Sequence, residues 1–130
     1  MGDRCYFSIQ LRKTRAAEIS DKYDLHVEYE EGDEAVLIHQ EANYGGSSIL
    51  DGLVADREIF LGYSEAGADY GPTRFACDGE KLIQLEVDWQ KQLYAVIHDD
   101  GTVDQAMIDD AKALQALEAR VVNLLDPERL

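Results

Sequence analysis

The sequence is poor in basic residues, prolines and cysteines. Of its 130 residues, 12 are Lys or Arg and 27 are Asp or Glu, which gives a formal net charge of -15. Proteins that follow a nucleic-acid backbone need a basic surface, so this charge balance argues against direct nucleic-acid binding. Since a domain typically has roughly 100–200 residues, we predict one domain over residues 1–130.

Disulfide bonds and membrane spans are not expected either. The two cysteines, Cys5 and Cys77, are too few for a disulfide framework, and the first residues do not resemble a secretory signal peptide. The longest apolar runs, such as residues 35–38, fall far short of the ~20 residues that cross a bilayer. We therefore expect a cytoplasmic protein that does not bind membranes.

Motifs for catalysis or metal binding are also missing. The sequence has no glycine-rich phosphate loop, no CxxC pair and no HExxH motif. Ser64 lies in a G-x-S-x-x-G stretch, one residue longer than a nucleophile elbow, which favours a simple turn. His26, His39 and His98 lie near carboxylates without the ligand spacing typical of zinc sites, so we interpret them as ordinary strand residues. The sequence thus predicts no catalytic residue, no metal and no cofactor, and favours a binding protein over an enzyme.

Alternation of apolar and polar residues predicts several β-strands. The predicted strands cover residues 7–11, 25–29, 35–39, 59–61, 83–89 and 93–97. A turn at residues 31–33 joins the second and third strands as a hairpin, and residues 93–97 are the predicted hairpin partner of 83–89. The strand at 25–29 is expected to bury one face and to expose an acidic face.

Three segments have the composition or the periodicity of helices. Residues 14–22 and a segment capped by Ser47 or Ser48 predict short helices, and a long helix begins after Thr102 or Asp104. The long helix carries one apolar stripe: Met107, Ala111, Leu114, Leu117, Val121, Leu124 and Leu125. The predicted fold is α+β, a mostly antiparallel sheet of five to six strands with two short helices and a long C-terminal helix packed on one face.

Negative charge is concentrated in one part of the chain. Residues 23–56 contain no Lys or Arg and nine carboxylates: Asp24, Glu28, Glu30, Glu31, Asp33, Glu34, Glu41, Asp51 and Asp56. Like charges repel one another in a compact protein, so such a stretch serves either solubility or the binding of a cationic partner.

Three tyrosines lie next to glycines in stretches of small residues. Rigid, amphipathic tyrosines on such loops are typical of protein-recognition surfaces, although ordinary turn tyrosines also pack back on their own domain. Together with the acidic stretch they form our predicted partner-binding set: Asp24, Glu28, Glu30, Glu31, Asp33, Glu34, Tyr44, Tyr63 and Tyr70.

The leading hypothesis is a small acidic binding protein that inhibits or neutralises a basic protein partner. Toxin-immunity proteins, DNA-mimic antirestriction proteins and anti-CRISPR proteins are of this type. Alternate carboxylates on a strand lie about 6.6 Å apart, close to the phosphate spacing of one nucleic-acid strand. One alternative is a small enzyme or small-molecule-binding domain with a pocket formed by the 43–48 and 62–72 loops. Another is a phage- or plasmid-type assembly protein that dimerises through the C-terminal helix, so both a monomer and a homodimer are considered.

Overall fold

The computed structural model describes residues 4–43, 46–66 and 71–125. Within these ranges the chain forms six strands and three helices, which confirms the predicted α+β class. The elements are β1 (Arg4–Arg12), α1 (Lys13–Tyr23), β2 (His26–Glu31), β3 (Glu34–Asn43), α2 (Ser47–Ala55), β4 (Ile59–Ser64), β5 (Thr73–Asp78), β6 (Leu82–Glu86) and α3 (Gln105–Leu125). Among the described helices, none combines the length and the apolar character that crossing a membrane requires.

The six strands form one antiparallel sheet in the order β2-β3-β1-β4-β5-β6. Consecutive hairpins build the pairs β2/β3, β4/β5 and β5/β6, whereas β1 inserts between β3 and β4. The first strand of the chain thus becomes a central strand, and β2 and β6 become the two edges.

One face of the sheet packs against α1 and α2. Phe7 of β1 is fully buried there, together with Ile19 of α1 and Leu53 of α2. The ring of Phe75 lies 5.5 Å from Phe7 and 5.9 Å from Phe60, centroid to centroid. These aromatic contacts join the strands β1, β4 and β5 into one core, because each ring buries a large apolar area.

The opposite face is covered by α3, mainly over β4, β5 and β6. The residues of α3 that are buried against these strands are Leu114, Leu117, Val121 and Leu125. Nη2 of Arg12 in β1 also donates to the carbonyl oxygen of Leu124 in α3 at 2.6 Å. The backbone N–H of Met107 donates to Oδ1 of Asp104 at 3.1 Å, so Asp104 caps the helix as predicted. The apolar stripe is therefore used within the chain, and a dimer formed through it would first have to unpack α3 from the sheet.

Two predictions about the strands are wrong. Residues 93–97 do not pair with β6 as a strand, although Leu93 packs against the same core cluster as Leu85 of β6. Asp88 Oδ1 accepts the N–H groups of Gln90 and Gln92, and Lys91 adopts a left-handed conformation with φ +64°. The second error is β5, which was not predicted because its buried residues, Phe75, Ala76 and Cys77, follow one another without alternation.

The predicted serine cap of α2 is also wrong. Gly46 is the N-cap residue, with φ +73° and no side-chain cap hydrogen bond. A Cβ atom at this position would collide with the ring of Phe7. Both the positive φ and the close approach of this ring therefore require glycine at the start of α2.

Candidate functional site

On the face of the sheet that carries α3, this helix extends mainly over β4, β5 and β6, and a groove of about 540 Å³ lies beside it over β1, β2 and β3. The residues that line it come from five strands, from α3 and from the turn after β6. They are Tyr6, Ser8, Gln10, Glu28, Tyr29, Val36, Leu61, Gly62, Tyr63, Arg74, Gln90, Lys91, Gln92 and Glu118. The groove is the candidate functional site because it is concave, lined by aromatic and polar groups, and adjacent to the acidic strand β2.

The floor of the groove follows from the alternation of β1. Phe7 and Ile9 are buried on the face that packs against α1 and α2, so Ser8 and Gln10 point to the opposite face and line the groove. Gly62 of β4 pairs with Ile9, and a Cβ atom there would collide with the carbonyl oxygen of Ser8. Glycine at this position therefore allows β1 and β4 to pair closely, and the backbone of Gly62 lines the groove.

Two tyrosines form an aromatic pair in the groove. The rings of Tyr6 and Tyr63 are stacked, with centroids 6.0 Å apart and an interplanar angle of 29°. The Tyr6 hydroxyl donates to Oε2 of Glu28 at 3.2 Å. Burial, followed by the nearby Tyr63 and Glu28, raises the pKa of Tyr6 to about 12. Tyr6 is therefore a neutral donor at physiological pH that orients the carboxylate of Glu28.

A lysine lies over the face of the second ring. The Nζ atom of Lys91 is 3.7 Å from the centroid of the Tyr63 ring, which is a close cation–π contact. The backbone N–H of Lys91 donates to the carbonyl oxygen of Asp88 at 2.9 Å. The Lys91 carbonyl oxygen accepts from Nη1 of Arg74 at 3.2 Å. The turn is thus held at both ends in the conformation that places this ammonium in the groove.

Arg74 and Glu118 form the wall between the groove and α3. Nε of Arg74 donates to Oε2 of Glu118 at 3.1 Å, and Nη2 donates to Oε1 at 2.5 Å. The two side chains are 24% and 17% exposed. Because the guanidinium group also holds the carbonyl oxygen of Lys91, its donors are engaged in joining β5, α3 and the turn. We interpret this pair as structural support.

The acidic residues of the predicted binding set cluster at the β2 edge of the sheet. Five of them are exposed, and we call these the acidic edge: Asp24, Glu28, Glu30, Glu31 and Asp33. Glu34 differs from them, because it is only 9% exposed and its Oε2 accepts from Nε2 of Gln10 at 2.7 Å. The structure therefore presents five of the six predicted carboxylates on the surface and places the sixth inside.

The expected half-buried character of β2 is wrong. All six of its side chains are exposed, including Val27 at 43% and Tyr29 at 55%. The register with β3 shifts between Val27 and Tyr29, which breaks the simple alternation of faces. As a result Glu28 and Tyr29, adjacent in sequence, both line the groove.

Positive charge near the acidic edge is sparse. Lys13 Nζ lies 3.5 Å from Oε2 of Glu30, and both side chains are about half exposed. Ion pairs of this kind contribute little, because water screens them. The ion pair therefore leaves Glu30 able to exchange Lys13 for a cation of a partner.

Of the three tyrosines in the predicted binding set, the structure describes one. Tyr44 and Tyr70 lie outside the described residues, as does much of the alternative pocket formed by the 43–48 and 62–72 loops. Tyr63 lies on strand β4 and not on a loop, and its ring is in the groove. The structure therefore brings Tyr63 next to Glu28 of the acidic edge, through their shared neighbour Tyr6.

Sequence reasoning missed three groove residues: Tyr6, Tyr29 and Lys91. The alternation of β1 carried a signal for Tyr6, because it lies on the polar side of that strand together with Ser8 and Gln10. Tyr29 was assigned to a buried face, and the register shift in β2 overturns that assignment. Lys91 had no local signal, since its position depends on a long-range contact with β4.

The described residues form neither of the other two sites considered from the sequence, a metal site and a catalytic serine. Within these residues, no group of three or more His, Cys, Asp or Glu side chains is arranged to hold a metal ion. Ser64 is 1% exposed, and its hydroxyl shares a hydrogen bond of 2.9 Å with that of Thr73. A buried hydroxyl held in this way has no access to a substrate.

Comparison of the chain with protein-family models, with curated proteins and with solved structures found no match. The function is therefore inferred from the geometry and the charges of the chain itself.

Proposed function

We propose that this chain is a small acidic cytoplasmic protein that inhibits or neutralises a basic protein partner, which it binds through the acidic edge. The observation that carries the proposal is the surface around β2, where five carboxylates within ten residues are exposed. A basic surface that normally binds phosphates is occluded when an array of carboxylates pairs with it, as in toxin-immunity, DNA-mimic antirestriction and anti-CRISPR proteins. Such inhibition requires no catalytic residue.

The carboxylates lie close enough together to act as one charged surface. They fall within residues 24–33, and neighbouring groups on a strand lie within a Debye length, which is about 8 Å at physiological salt. Clustered charges of this kind increase the rate of association with an oppositely charged protein, and the rate falls as salt is added. Salt sensitivity is therefore the first expected property of the complex.

Strand β2 also offers contacts that salt does not screen. Val27 and Tyr29 expose apolar surface on the same strand as the carboxylates. β2 is an edge strand, paired only with β3 within the described sheet, so its outer backbone groups are open to hydrogen bonds. An added strand from a partner pairs with such an edge in β-augmentation.

A different explanation of the charged edge predicts a different result. Charged side chains on an edge strand also prevent sheets from joining edge to edge. If that were their whole purpose, their charge would affect the solubility of the protein and would not affect the retention of any partner.

The deciding experiment compares two variants with equal changes in net charge. The edge variant carries Glu30→Lys, Glu31→Lys and Asp33→Lys, and the control carries Asp51→Lys, Glu80→Lys and Asp99→Lys at exposed positions elsewhere. Each protein is immobilised, exposed to a lysate of the source organism, and washed at ~50 and ~200 mM salt. Circular dichroism confirms that both variants are folded.

We expect the wild type and the control to retain the same basic protein at ~50 mM salt, and to lose most of it at ~200 mM. The edge variant should not retain it at either concentration. Equal retention by the two variants would contradict the proposal, as would the absence of any basic protein bound to the wild type.

The groove favours a second candidate function, the binding of a small molecule. Its volume of about 540 Å³ falls within the range of roughly 300–1,000 Å³ that is typical of ligand pockets. A bound ligand would raise the melting temperature of the protein in a metabolite screen, since binding stabilises the folded state. A screen in which no compound raises the melting temperature counts against this candidate and leaves the first one in place.

A further inference from the structure

The groove beside the acidic edge already contains a positive charge that belongs to the chain. The ammonium group of Lys91 lies 3.7 Å from the centroid of the Tyr63 ring, on the face of that ring. Among the described side chains, the groove also contains the rings of Tyr6 and Tyr29 and the carboxylate of Glu28. Aromatic faces combined with a carboxylate are the groups that recognise an ammonium or guanidinium cation.

The chain places Lys91 there at a cost to its own backbone. Lys91 has φ +64°, a conformation that residues with a β-carbon rarely adopt. The turn is held by the carbonyl oxygen of Asp88 on one side and by Arg74 on the other. These two hydrogen bonds fix the turn and so fix the side chain of Lys91 over the Tyr63 ring.

The rest of the groove is prepared to receive a cation. The Tyr6 hydroxyl holds Oε2 of Glu28, which leaves Oε1 of that carboxylate for a second partner. Glu28 is also one of the five residues of the acidic edge, so the groove opens directly onto the surface that attracts a basic protein.

We propose that Lys91 is a resident cation that occupies the binding site for a lysine or arginine side chain of the basic partner. On binding, the partner's side chain takes the position over Tyr63 and Lys91 moves out into solvent. The inference rests on the proposed function, and it assigns to that function a specific anchor in the groove. Electrostatic attraction between the partner's cation and Glu28 favours the exchange. The ammonium group of Lys91 regains full hydration in solvent, which offsets the loss of its contact with Tyr63.

The test uses short peptides as probes and needs no purified partner. Acetyl-Gly-Lys-Gly-amide and acetyl-Gly-Arg-Gly-amide are titrated into the full chain, with acetyl-Gly-Gln-Gly-amide as the neutral probe. Binding is followed by the NMR chemical shifts of the Tyr6 ring, which is stacked on Tyr63 and is retained in every variant. The variants are Lys91→Asn, in which Asn tolerates the left-handed backbone, and Lys81→Asn, which removes the same charge from an exposed position outside the groove.

We expect Lys91→Asn to bind the two cationic peptides about fivefold more tightly than the wild type, since the competing cation–π contact is gone. Lys81→Asn should bind them like the wild type, and Lys91→Arg, which keeps a cation at the site, should also resemble the wild type. Adding Tyr63→Leu to Lys91→Asn should abolish the gain.

Three results would overturn the inference. They are equal affinities of Lys91→Asn and Lys81→Asn, equal binding of the neutral and cationic peptides, and no saturable binding to Lys91→Asn. Failure here is distinguishable from failure of the proposed function, because the peptide titration does not depend on retention of a partner by the acidic edge.

Discussion

The two halves of the sheet are built differently. Strands β4, β5 and β6 lie beneath α3, whose apolar residues are buried against them. On the same face, α3 makes far fewer contacts with β1, β2 and β3, which we call the open half, and every side chain of β2 is exposed. Buried apolar contacts supply most of the free energy of folding, whereas exposed carboxylates supply very little. On this face of the sheet, therefore, the covered half contributes buried apolar area to stability, and the open half has exposed side chains that can bind a partner. β1 and β3 contribute to stability through the core on the other face.

The largest expected difference in the free energy of unfolding is between a variant at a core residue of the covered half and a variant at an aromatic residue of the open half. Leu114→Ala should lower the free energy of unfolding by about 3 kcal/mol, because Leu114 is fully buried. Tyr29→Ala, at 55% exposure, should lower it by less than about 1 kcal/mol. Urea denaturation measures both values, and equal losses would refute the division between the halves.

A smaller effect is expected at the boundary between the halves. Arg74→Lys should lower the free energy of unfolding by about 2 kcal/mol, because lysine cannot bond to Glu118 and to the Lys91 carbonyl together. The matched control is Arg120→Lys on the same helix as Glu118, where the Arg120 side chain is 65% exposed and lies 3.5 Å from Asp78. This control should change stability by less than about 0.5 kcal/mol.

The open half should also produce a specific dependence on pH. The pKa of Tyr6 is raised from 10.0 to about 12 in the folded state, so between these values the folded protein binds more protons than the unfolded chain. The stability from Tyr6 is therefore complete below pH 10 and is lost as pH rises toward 12. Tyr6→Phe should flatten this part of the stability profile, as measured by urea denaturation at pH 9, 10 and 11.

An unchanged slope in Tyr6→Phe would show that burial, Tyr63 and Glu28 do not raise the pKa of Tyr6 as described. The pKa of Tyr23 is also raised, first by burial and then by its hydrogen bond with Asp56. That contribution is present in both proteins and cancels in the comparison.

The smallest effect is expected at the acidic edge. Glu31→Lys should change the free energy of unfolding by no more than about 0.5 kcal/mol, since the side chain of Glu31 is exposed. A loss of several kcal/mol would mean that the acidic edge is part of the folded framework, and it would remove the separation between stability and binding.

The fold was largely predictable where the pattern was local. The stripe that includes Leu114 and Leu117 gave α3 and its packing, and Asp104 gave its start. β5 was not predictable by alternation, because both of its faces are covered and Phe75, Ala76 and Cys77 are buried in succession. The predicted number of strands still agrees with the observed number, because the missed strand β5 is offset by the false strand at residues 93–97.

The site was less predictable than the fold. Charge along the sequence was enough to locate the acidic edge, because exposed carboxylates need no tertiary contact. The groove depends on contacts between distant residues: Tyr6 with Tyr63, Lys91 with Tyr63, and Arg74 with Glu118. No local pattern encodes such contacts. Glu34 was placed in the exposed set because of its charge, but its side chain is buried and accepts a hydrogen bond from Gln10.

The most direct test of the central claim is hydrogen exchange of the chain, measured alone and in complex with the basic protein that it retains. The account predicts added protection of the backbone amides of β2 and of the turn at residues 88–92, with α3 unchanged. New protection confined to α3 and β6 would contradict it, because the partner would then bind the covered half of the sheet.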